Sequence, residues 1–67
     1  MIRNNLEIVN LIELIKKEEL SKAMKLCQRL LKKDEANEVL LNSLGIIYRK
    51  KKKYIQAEHW TRRALEK

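Results

Sequence analysis

Shifted by 34 residues, this chain lies over itself without a gap. Leu6 falls on Leu40, Ile12 on Ile46, and Lys16 and Lys17 on Lys50 and Lys51. Further along, Ala23 meets Ala57, Arg29 meets Arg63, Leu31 meets Leu65 and Lys33 meets Lys67. Leu14 over Tyr48, Leu20 over Tyr54 and Leu30 over Ala64 keep apolar character without identity. In 67 residues such a period leaves room for two copies of one unit and little else. Units of this kind cannot bury an apolar face alone and must stack on a neighbour.

Spacing makes the unit helical. Ile2, Leu6, Ile8, Val9, Ile12, Leu14 and Ile15 predict a helix over 2–16. That segment is apolar around much of its circumference, which implies contact with protein on two sides. The stretch KKEEL interrupts it. Leu20, Ala23, Leu26, Cys27, Leu30 and Leu31 then recur at i, i+3, i+4, i+7 and predict a second helix over 20–33. After KKDEAN, a third helix carries Leu40, Leu41, Leu44, Ile47 and Tyr48, with Asp34 or Asn37 as its cap and Glu38 in its first turn. The lysines at 50–53 close it, since cations suit the carboxyl end of a helix. A fourth runs from about Tyr54 to the end with Ala57, Trp60, Thr61, Ala64 and Leu65. There is no proline, and no run of β-branched or aromatic residues marks a strand. The expected fold is all-α: one domain over 1–67 of four antiparallel helices, paired as two hairpins in an α-solenoid-like stack.

Gly45 is the only glycine, and it sits inside the third helix. Glycine there costs about 1 kcal/mol relative to alanine. Its place is explained if a second helix axis comes within about 8 Å, where a side chain would clash.

The second hairpin resembles the tetratricopeptide repeat family. The family pattern is W-x2-L-G-x2-Y, then A-x3-F, a small residue and a late proline. Here it reads Leu41-x2-Leu44-Gly45-x2-Tyr48, then Ala57-x3-Thr61, then Ala64, with Tyr54 at the usual aromatic position. Leu41 replaces the tryptophan, Thr61 replaces the large aromatic, and the chain ends before the proline. The first hairpin, 4–37, is divergent: it keeps Ala23 and the leucine framework but has Leu11 at the glycine position. The second, 38–67, is truncated at its end. The chain therefore reads as a two-repeat protein or as the N-terminal piece of a longer array.

The resemblance implies a binding module and not an enzyme: a scaffold, adaptor or small chaperone that holds a peptide or helix on a concave face. Family positions carry over to Asn5, Ile8, Ile12, Ile15 and Lys16 in the first repeat, and to Val39, Asn42, Ile46, Arg49 and Lys50 in the second. That face is apolar in its middle and basic at one end, which suits an amphipathic or extended segment with acidic flanks. Ile12 and Ile46 stand where a peptide-carboxylate clamp would place asparagine, so no such clamp is expected. Ile8, Ile12 and Ile15 serve equally for packing on another copy of the chain. Two repeats with no closing helix would also leave Trp60, Leu40, Ile47 and Leu65 partly open as an assembly surface for a homo-oligomer or another protein.

Net charge is +7, and Arg49 to Tyr54 reads RKKKKY. Such a run binds nucleic acid phosphates or lipid headgroups, or simply stays solvated in a turn. A basic helical module binding nucleic acid is thus the alternative function. Glu18 and Glu19 of the first turn are expected to pair with Lys52 and Lys53 of the second. Cys27 is the single cysteine and His59 the single histidine. Neither belongs to a metal-ligand spacing, and one glycine forms no phosphate loop. Neither catalytic residues nor a cofactor is therefore expected. No apolar stretch reaches the length of about 20 residues that a membrane span requires, and the N-terminus lacks a signal-peptide layout, so a cytoplasmic location is expected.

Overall fold

The computed structural model describes the backbone of residues 2–66 and the side chains of 6–66. It contains four helices: α1 (Ile2–Lys16), α2 (Leu20–Lys33), α3 (Glu38–Lys50) and α4 (Tyr54–Leu65). No strand occurs among the described residues. The chain is all-α, and its helices pack as hairpins.

Two of the three turns are built alike. At the end of α1, Glu18 N–H donates to Ile15 O at 2.9 Å and Glu19 N–H to Leu14 O at 2.9 Å. At the end of α3, Lys52 N–H donates to Arg49 O at 2.9 Å and Lys53 N–H to Tyr48 O at 2.9 Å. This nested pair of bonds satisfies the last carbonyls of a helix and needs a left-handed residue at its centre. Glu18 (φ 60°) and Lys52 (φ 65°) supply it.

The middle turn is different. Asp34 ends α2, its N–H donating to the Leu30 and Leu31 carbonyls at 3.1 and 3.2 Å. Asn37 is the cap of α3: its Oδ1 accepts from Val39 N–H at 2.9 Å and Leu40 N–H at 3.2 Å. Its Nδ2 donates to Asp34 Oδ2 at 2.9 Å, which ties the two ends of the turn together.

Helix α2 packs on α1, α3 lies across both, and α4 lies on α3. The core joins Leu11 and Ile15 of α1, Ala23, Cys27 and Leu30 of α2, and Leu40, Leu44 and Ile47 of α3. Cys27 Sγ–H donates to Leu40 O at 3.3 Å, so even the thiol is used in the α2–α3 contact. Gly45 meets α4 closely, as its position implied. A Cβ there would lie 2.5 Å from Thr61 Oγ1 and 3.3 Å from Ala57 O.

Three burial expectations are corrected. Ile15, expected on an open binding face, is in the core, because it continues the Leu11 stripe that meets α2 and α3. Leu40 and Ile47, expected to be partly open, are 2 % and 0 % exposed, because α3 presses them against the first hairpin. Along α1, Leu11 and Ile15 join the core with α2 and α3, while Leu6 and Val9 stand open at 64 % and 53 %.

Candidate functional site

Successive helices joined by such short turns run in opposite senses, so α1 and α3 run side by side in the same sense. The residues expected to bind are carried by these two helices. Ile12 and Val39 are exposed there, Ile8 and Ile46 are half-buried against the core edge, and Asn42 is exposed. Lys16, Arg49 and Lys50 are exposed at the carboxyl ends of the two helices. The helix dipoles put partial negative charge at those same ends, which favours the cations. Ile15 is buried instead, and the side chain of Asn5 lies outside the described residues. The two helices thus offer open apolar side chains along their length and cations at their carboxyl ends.

The expected assembly surface around Trp60 comes apart in the structure. Leu40 and Ile47 are buried, and Trp60 is half-buried against the core. The Arg63 guanidinium lies 5.1 Å over the indole, and His59 meets it edge-on at 5.2 Å. A cation held over an indole contributes about 0.5–1 kcal/mol at an exposed site, so Trp60 has intramolecular partners already. Leu65 alone of the four is open, at 82 %.

Two other exposed apolar side chains were not among the residues expected to bind. Tyr54 is 61 % exposed and Ile55 83 %. Tyr54 and Leu65 edge an open groove of about 400 Å³ between α3 and α4, which Gly45, Arg49, Thr61 and Arg62 also line. The 34-residue offset was the signal that locates it, because the matching positions of the first hairpin are apolar and need a cover.

Charges pair both within helices and between them. Glu19 pairs with Lys22 at 3.1 Å, within its own helix start, and not with Lys52 or Lys53 across the stack. Arg29 meets Glu7 at 3.4 Å and Arg62 meets Glu58 at 2.9 Å. These exposed pairs contribute under about 1 kcal/mol each. Helix α2 contains no acid, and Lys22, Lys25, Arg29, Lys32 and Lys33 are all exposed on it.

The Cys27 thiol is buried, and desolvation pushes it up to about 11. A thiol held protonated at neutral pH is a poor nucleophile and a poor metal ligand. Among the described residues, no group of three or more His, Cys, Asp or Glu side chains is placed to hold a metal, and no helix is long and apolar enough to cross a membrane. No known family model, curated protein or solved structure matches the chain.

Proposed function

We propose that this chain is a tetratricopeptide-like protein interaction module acting as a scaffold or adaptor. It binds an amphipathic helix or extended peptide along the shared face of α1 and α3. One observation carries the reading: Ile12 and Val39 stand 39 % and 47 % exposed beside half-buried Ile8 and Ile46, with Lys16, Arg49 and Lys50 at one end. Apolar side chains that are open in the midst of a helical repeat favour a contact partner. The cations select acidic flanks on that partner and raise its association rate. The role is binding and not catalysis. Its lone buried thiol suits the reducing cytoplasm.

The test is a screen of peptides with apolar residues at helical spacing and glutamates at one end, read by fluorescence anisotropy. Binding that persists in high salt and is lost in Ile12→Glu and Ile46→Glu supports the reading. Failure of every such peptide, or equal binding by the two variants, sinks it.

A second reading, binding of nucleic acid backbones, rests on the acid-free, lysine-lined surface of α2. It requires affinity for RNA or DNA that falls steeply with salt. Lys25→Glu with Lys32→Glu then abolishes that affinity while peptide binding stays intact.

A further inference from the structure

The first hairpin shows what its own groove takes. Leu11 and Ile15 of α1, with Ala23 and Cys27 of α2, form one buried cluster with Leu40, Leu44 and Ile47 of α3. Helix α3 therefore fills the groove of the first hairpin. Thirty-four residues on, the same positions are Gly45, Arg49, Ala57 and Thr61, and they line the open groove of about 400 Å³ between α3 and α4. No described residue fills it.

The complementary face is also present and also open. Helix α3 enters the first groove with Leu40, Ser43, Leu44 and Ile47, all buried. Thirty-four residues back, the matching positions on α1 are Leu6, Val9, Asn10 and Glu13, all exposed. Among the described residues, one such interface is thus filled, and two faces equivalent to its halves are left uncovered. A folded monomer of this mass, 8.1 kDa, exposes about 4,500 Å², and this one exposes 5100 Å².

We propose that the open groove between α3 and α4 receives helix α1 of a second copy of this chain, head to tail. The surface is separate from the peptide face, apart from Arg49, which borders both. Three features fit this occupant. Inside the chain, Ile15 and Ile47 share the buried cluster. The equivalent pair between copies is Arg49 with Glu13, so an apolar match is replaced by one of opposite charge. Inside the chain, Cys27 Sγ–H donates to Leu40 O. Its equivalent, the Thr61 hydroxyl, is placed to donate to Leu6 O of the incoming copy. Leu6 and Val9 bring the apolar surface that Tyr54 and Leu65 lack a partner for. A contact between two different faces does not close on itself at two copies and continues into rings or filaments.

The test uses the full chain and two variants at exposed positions, so folding is not at stake; circular dichroism confirms unchanged helix content. Leu6→Glu with Val9→Glu blocks the head, and Leu65→Glu blocks the tail. Light scattering from micromolar to millimolar concentration should show the unaltered chain growing past the dimer. Each variant alone should remain monomeric. Mixed, the two should form a 1:1 heterodimer, because each keeps the half that the other has lost. An unaltered chain that stays monomeric throughout overturns the proposal. So does an assembly that only one variant disrupts, or a mixture that stays monomeric, since either marks a symmetric contact through a single face. Peptide binding through Ile12 and Ile46 is read separately and survives these outcomes.

Discussion

Glu18 and Lys52, 34 residues apart, occupy the same left-handed backbone conformation at the centre of the same turn. Neither is glycine, the residue that adopts this conformation without steric cost. Glu18→Gly and Lys52→Gly should therefore each raise stability by up to about 1 kcal/mol, the steric relief being partly offset by the greater freedom of glycine in the unfolded chain. Urea denaturation of each variant checks this. Glu18→Ala is the control, because it keeps the Cβ and should give no gain.

Gly45→Ala should destabilise the chain although alanine is the better helix former. The new methyl meets Thr61 Oγ1 at 2.5 Å and the Ala57 carbonyl at 3.3 Å. Overpacking of this kind costs about 1–3 kcal/mol, against a propensity gain of about 1 kcal/mol. Thr61→Ala removes the nearest obstacle, so Gly45→Ala should be far less harmful in that background. A double-mutant cycle by thermal denaturation measures the coupling; strict additivity would show that the helix crossing is not what requires glycine.

Asn37→Ala should cost about 1–2 kcal/mol. It removes the bonds to Val39 and Leu40 N–H and the link to Asp34. The turn it holds is the one joining the hairpins, so helix content near α3 should fall with stability. Chemical denaturation followed by circular dichroism reads both.

Cys27 should be unreactive to a thiol reagent in the folded chain and should react on unfolding. Its thiol rises from 9.0 to about 11 on folding because burial disfavours the thiolate. The unfolded chain thus gives up this proton first. The stability tied to this group is complete below pH 9 and declines by about 2–3 kcal/mol as pH rises towards 11. Cys27→Ala should lack this component, so the difference between the two stability–pH curves should narrow over that window.

The helices were legible residue by residue. Apolar spacing and the interruptions KKEEL, KKDEAN and the lysine run place all four, and the observed bounds agree. Gly45 announced a close helix crossing, which the Thr61 contact shows. Exposure was less legible. Leu40 reads like Leu6, its equivalent in the first hairpin, yet one is 2 % and the other 64 % exposed. Leu40 is pressed against the first hairpin, and no described residue covers Leu6. Glu19 likewise chose Lys22, three residues away, over the lysines of the other turn. A near partner costs less side-chain and loop entropy to hold.

The sequence by itself determined the period, the four helices, the turn positions and the basic surface, because these depend on local spacing and on residue chemistry. The tertiary structure alone decided which copy of each repeated position is covered. It sank Ile15, Leu40 and Ile47, clothed Trp60 with Arg63, and left Leu6, Val9, Tyr54 and Leu65 in water. The physical reason is that burial belongs to pairs of faces. Leu40 meets the first hairpin, while no described residue covers its equivalent Leu6.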